Sequence, residues 1–162
     1  DLQLRTLADI FHAPFTLFES YIAGSYRETC GKLGIPVLLN ESGMSMALDK
    51  DMAREAVDGT IRVLDHLGML APGIPVPVPQ LPSIVVGQSK WVRAERSGFL
   101  HVKVAMHQQV EAGEVLCTVS DPYGSASLPL LAPRAGHVIN INQAPMVYEG
   151  DAIFNIAVQV ES

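Results

Sequence analysis

Apolar positions near the start of the chain recur at helical spacing: Leu4, Leu7, Ala8 and Phe11 form one stripe, and Pro14 ends it. Phe15 to Phe18 then reads as a short strand, core material of a larger sheet. Ser25 is a side-chain cap for a helix from Tyr26 to about Leu33, with Glu28 at the third position of a capping box and Gly34 as the C-terminal stop. Ile35 to Leu39 follows as an uninterrupted apolar run with β-branched residues and flanking glycines, which predicts a buried strand. A Gly-, Ser- and Met-rich loop over Ser42 to Ala47 leads to a helix from Lys50 to Leu67. Its apolar residues Met52, Ala56, Ile61, Leu64 and Leu67 keep helical spacing, Asp49 caps it and Gly68 stops it. Met44, Met46 and Met69 are expected to pack in the core.

The pattern then changes. Pro72, Pro75, Pro77, Pro79 and Pro82 alternate with Val and Ile, marking an extended, semi-rigid connector and a domain boundary. The apolar residues interleaved there point to packing against the chain itself. From Ile84 to Val158 the sequence repeats at an offset of about 38 residues. Ala94-x3-Gly98 is echoed by Ala132-x3-Gly136, Val110-x2-Gly113-x2-Leu116 by Val147-x2-Gly150-x2-Ile153, and Val119 by Ile156. Each half reads as short strands joined by glycine turns, which bury their faces only when paired.

Composition narrows the function classes. An apolar share of 48% is ample for a core, and the formal net charge of −6 with singly scattered Lys and Arg argues against a nucleic-acid surface. No apolar run approaches the ~20 residues that cross a bilayer. Cys30 and Cys117 stand far apart without a Cys or His at metal-ligand spacing, and they read as buried free thiols of a cytoplasmic protein.

The strand from Ile35 to Leu39 delivers Glu41 at its C-terminal end, where α/β sheets place ligands and catalytic groups. The elements Gly24-Ser25-Tyr26-Arg27 and Gly34-Ile35-Pro36, followed by Glu41-Ser42-Gly43, resemble in order and spacing the succinylglutamate desuccinylase/aspartoacylase family of zinc-dependent amidohydrolases. The resemblance covers residues 20 to 158. It implies an α+β layout: residues 1–70 as the C-terminal part of a zinc-carboxypeptidase-like α/β domain, 71–83 as a linker, and 84–162 as an all-β, lipoyl-like barrel-sandwich. In lipoyl-type carriers the hairpin between the halves presents a lysine. Here that hairpin is Asp121-Pro122-Tyr123-Gly124-Ser125, and Lys90 and Lys103 lie elsewhere, which argues against an acyl carrier.

By the same resemblance Glu41 is the general base and Arg27 holds a substrate carboxylate, for which a guanidinium fork is geometrically suited. Tyr148 stands near the place of a tyrosine that one branch of the family inserts into its site. Asn40 and Ser42 flank Glu41 and could orient it by hydrogen bonds or serve the loop alone. Zinc would lower the pKa of its bound water from ~15.7 to about 7, and a carboxylate beside that water could shuttle its proton to the leaving amine. The family's ligands are a His-x-x-Glu pair and a later His. None of His12, His66, His101, His107 and His137 matches them, so the chain is expected to be a C-terminal portion, inactive alone, with the zinc ligands upstream.

The resemblance therefore implies a metal-dependent hydrolase of linear amides. Its substrate would be a small N-acyl amino acid, with succinylglutamate, N-acetylaspartate and N-acetyl-diaminobutyrate all handled by relatives. A homo-oligomer is left open. The competing reading is a non-catalytic, lipoyl-like β module for packing or oligomerisation.

Overall fold

The computed structural model describes residues 2–44 and 47–159. The chain divides into two compact units, Asp1–Ile84 and Val85–Ser162. All helices among the described residues belong to the first: α1 (Leu2–Phe11), α2 (Tyr26–Lys32) and α3 (Lys50–His66), with the short strand β1 (Phe15–Leu17) between α1 and α2. None is long and apolar enough to cross a membrane.

The helix ends follow from local chemistry. Ser25 Oγ accepts the Glu28 N–H at 3.1 Å, while Glu28 Oε2 reaches back to the Gly24 N–H at 2.8 Å, one residue before the cap. Asp49 Oδ1 accepts the Asp51 and Met52 N–H groups at the start of α3. Both helices end in the same paired motif, built on a glycine at positive φ. Ile35 N–H reaches Cys30 O and Gly34 N–H reaches Gly31 O after α2; Met69 N–H reaches Leu64 O and Gly68 N–H reaches Asp65 O after α3.

The α1–α3 contact is close because Gly59 leaves room for Phe11. A Cβ at Gly59 would lie 2.8 Å from both the Phe11 ring and its carbonyl oxygen. Beside it, Arg62 donates to Ile10 O at 3.1 Å, to Phe11 O and to Pro77 O at 3.4 Å. One side chain thus closes the carbonyl end of α1 and grips the proline-rich segment. That segment forms neither helix nor strand. Further bonds tie it to the first unit: His12 Nε2 donates to Leu81 O at 2.8 Å, the Ser83 hydroxyl to Ala13 O, and Ile84 N–H to Pro14 O.

Two expectations fail in this unit. Ile35 to Leu39 joins no sheet, because a buried strand needs a neighbour on each side and the described residues of the first unit provide none. Met44 and Met69 are exposed rather than buried, since few apolar groups there are screened from solvent. Met46 lies outside the described residues.

The second unit is all β: β2 (Ile84–Arg93, beginning at the last residue of the first unit), β3 (Gly98–Val102), β4 (Gln109–Val110), β5 (Val115–Ser120), β6 (Ser127–Leu131), β7 (Gly136–Ile141), β8 (Met146–Val147) and β9 (Ala152–Gln159). One sheet contains the order β2-β9-β7-β4 and the other runs β6-β5-β3-β8. Each therefore takes two strands from either half of the sequence repeat, so neither half completes a sheet by itself. The repeat is visible bond by bond: Gly113 N–H meets Ala132 O at 2.9 Å, and its counterpart Gly150 N–H meets Ala94 O at 2.8 Å. The paired positions Val110 and Val147, Leu116 and Ile153, and Val119 and Ile156 are all buried in one shared core. Neither sheet closes on itself, so no closed barrel forms among the described residues.

Candidate functional site

Arg27 is the second residue of α2, placed there by the Ser25 cap, and its side chain is half-buried. The first turn of α2 is rigidified around it: Glu28 accepts from Gly24 and forms an ion pair with Lys32 at 3.0 Å. The Gly24 bond, followed by the Lys32 bond, lowers the pKa of Glu28. Tyr26 on the same helix has its pKa raised, chiefly by a hydrogen bond with Cys30. Among the described residues the one ion pair is that between Lys32 and Glu28, so neither Arg27 nor Glu41 is paired with an opposite charge there.

Glu41 follows residues 35–40, which form neither helix nor strand, and is exposed. Its neighbours bond to each other: Asn40 Nδ2 donates to Ser42 Oγ at 3.0 Å. That bond spans Glu41 between side chains two residues apart. The loop is anchored one residue later, where Gly43, at φ 104°, donates its N–H to Met52 Sδ at 3.0 Å. Asn40 and Ser42 also line, with Met52 and Glu55 of α3 and Phe11 and Pro14, a cavity of about 30 Å³, which is room for one water. A larger cavity of about 420 Å³ lies between the start of α1 and the end of α3 and is lined by Leu2, Thr6, Leu7 and His66. It includes none of Arg27, Asn40, Glu41, Ser42 and Tyr148.

Tyr148 belongs to the second unit, in the turn after β8. Its ring is exposed, and its N–H is held by Asp151 Oδ2 at 2.8 Å. The other half of the repeat makes the same turn, with Glu111 N–H held by Glu114 Oε2 at 2.9 Å. Tyr148 therefore stands where the repeat places Glu111.

Both cysteines are free and buried, and burial pushes the Cys117 thiol up to about 11. Among the described residues no three His, Cys, Asp or Glu side chains gather as they would around a metal ion. Two arrangements were not anticipated. The first is the Arg62 clamp, whose partners are main-chain carbonyls that the sequence does not single out. The second is a contact of 3.0 Å between His101 Nε2 and Ser120 Oγ in the second unit, for which the sequence carries no signal.

No family model and no curated protein matches the chain. Solved structures do. The ectoine utilization protein EutE (DoeB) from Ruegeria pomeroyi, in its apo form, is 21% identical with a TM-score of 0.84, over 97% of this chain and 51% of that one. A succinylglutamate desuccinylase from Silicibacter sp. is 22% identical with a TM-score of 0.82, over 98% and 49%. A succinylglutamate desuccinylase/aspartoacylase from Rhodobacter sphaeroides is 21% identical with a TM-score of 0.84, over 98% and 50%. The chain spans about half the length of these structures, and over that half it has the mixed α/β fold of the succinylglutamate desuccinylase/aspartoacylase proteins.

Proposed function

We propose that this chain forms part of an amidohydrolase that removes the acyl group from a small N-acyl amino acid. The observation that carries the reading is the match of nearly the whole chain to half of proteins whose names specify desuccinylase or aspartoacylase. The sequence elements around Arg27 and Glu41 support it independently, since they occur in the order and spacing of that family.

In this reading Glu41 is the proton shuttle. Its carboxylate takes a proton from the attacking water and returns it to the leaving nitrogen, a role typically worth ~10²–10⁴-fold in rate. The Asn40–Ser42 brace and the Gly43–Met52 contact limit the excursions of its backbone. Arg27, held by the capped first turn of α2, binds the carboxylate of the amino acid through its guanidinium fork. The substrate-binding role of Tyr148 rests on the family resemblance alone; its N–H is held by the Asp151 carboxylate within the second unit.

Zinc belongs to this reading as the activator of the water, but the described residues do not fit a zinc site. The reading assigns the ligands to polypeptide beyond this chain, and Glu41 acts as a base and not as a ligand. The second unit is read as a lipoyl-like barrel-sandwich module, supported by the interleaving of its two half-repeats.

The test is hydrolysis of a panel of N-succinyl and N-acetyl amino acids by the zinc-loaded protein that carries this chain, with and without Glu41→Gln. Release of free amino acid, lost by two orders of magnitude or more in the variant at unchanged zinc content, is the expected result. Near-normal turnover by the variant at full zinc occupancy would remove Glu41 from the mechanism. Absence of amide hydrolysis across the panel would remove the reading itself.

A further inference from the structure

The loop that carries Glu41 is tied to α3 through one sulfur atom. Residues 40–43 form neither helix nor strand, and their single hydrogen bond to α3 among the described residues runs from Gly43 N–H to Met52 Sδ at 3.0 Å. Gly43 aims that N–H from φ 104°, a backbone region that residues with a side chain rarely enter. The sulfur sits on a fixed platform: Met52 is the third residue of α3, and its own N–H is bound by Asp49 Oδ1 at 3.0 Å. Beside it lies the cavity of about 30 Å³ lined also by Asn40, Ser42 and Glu55, with room for one molecule the size of water. A thioether is a weak hydrogen-bond acceptor and one that oxidises reversibly.

We propose that Met52 is an oxidation-sensitive latch for residues 40–43. Hydrogen peroxide transfers one oxygen to Sδ: its O–O bond breaks, an S–O bond forms, sulfur gives up two electrons, and the peroxide leaves as water. The product is a polar, chiral sulfoxide in place of a flexible apolar side chain. At 3.0 Å there is no room for the new oxygen between Sδ and the Gly43 nitrogen. The loop yields and not the helix, because the cap fixes the start of α3 whereas the loop has no second bond to it. Gly43, and Glu41 with it, then moves away from α3. Reduction of the sulfoxide restores the thioether and the contact. Met44 and Met69 are more exposed, at 39% and 68%, and serve as internal controls for oxidation without a latch. The latch is a property of the loop and stands apart from any role of Glu41 in proton transfer.

The experiment treats the full chain with hydrogen peroxide, places the added oxygen by peptide mass mapping, and follows the Gly43 amide by NMR. The expected result is that sulfoxide at Met52 shifts the Gly43 amide signal and removes its nuclear Overhauser contact to the Met52 methyl group, in proportion to the Met52 sulfoxide formed. Methionine sulfoxide reductase should restore both. Met52→Leu should lack the native Gly43 signal before any treatment and show no response to peroxide, whereas Met44→Leu and Met69→Leu should respond as the wild type does. Three results overturn the proposal: Met52 stays reduced in the folded chain when Met44 and Met69 are fully oxidised; Met52 sulfoxide forms with the Gly43 signal unmoved; or the Gly43 response to peroxide persists in Met52→Leu.

Discussion

Gly98 faces the backbone carbonyl of Ser120 as Gly136 faces that of Ala157, and in both places a Cβ would collide with that oxygen. The next atoms match too, Val119 in one half and Ile156 in the other. The two glycines are the points at which each half-repeat lays one strand directly against another, so the requirement is spatial and not conformational.

Gly98→Ala and Gly136→Ala should each destabilise the β unit by about 2 kcal/mol or more, because the atom in the way is backbone and cannot rotate aside. Gly113→Ala meets open space and carries only the strain of its positive φ, about 1–2 kcal/mol. The lone tryptophan, Trp91, lies in this unit, so chemical unfolding followed by its fluorescence reports the unit selectively. Equal or smaller losses at Gly98 than at Gly113 would contradict the close approach.

Arg62→Ala should destabilise the helical unit by about 2 kcal/mol, leaving the Ile10, Phe11 and Pro77 carbonyls without their donor. Arg62→Lys should recover only part of this, since a single ammonium cannot reach three carbonyls placed for a planar fork. The helical circular-dichroism signal follows the first unit, where the described helices lie. Wild-type unfolding of Arg62→Ala by that signal would show the clamp to be incidental.

In the zinc-loaded protein Arg27→Ala should raise KM by one to two orders of magnitude with a smaller change in kcat, and the loss should shrink for substrates whose carboxylate is replaced by an amide. Equal losses for charged and uncharged substrates would mean that Arg27 does not hold a carboxylate.

The stability of α2 should fall in acid. Glu28 has a folded-state pKa below its ordinary value, held there by the Gly24 N–H and Lys32. Its contribution is therefore present above the unfolded-state pKa and is lost as pH falls through the lowered folded value. Glu28→Gln should flatten that part of the pH profile of amide exchange in residues 26–32. An unchanged acid limb in the variant would assign the dependence to another group.

Local chemistry was legible in the chain itself. Ser25, Asp49, Gly34 and Gly68 cap and stop helices through atoms only a few residues away, so their placement needs no knowledge of the rest of the fold. The β repeat was legible for a related reason: the same requirement, imposed twice, leaves the same glycines and core residues at a fixed offset. Ile35 to Leu39 shows where that ends. Its apolar run specifies an extended segment suited to burial, but a strand exists only with a neighbour, and the neighbour is a matter of tertiary structure. The exposed Met44 and Met69 follow from the same shortage of covering surface. Arg62 was hidden for the opposite reason, because its partners are main-chain carbonyls, and every residue type offers those alike. The order of Arg27 and Glu41 likewise belongs to the sequence, and the bond across Glu41 joins side chains only two residues apart; the Gly43–Met52 contact belongs to the fold, because α3 brings the sulfur to the loop only when the chain packs.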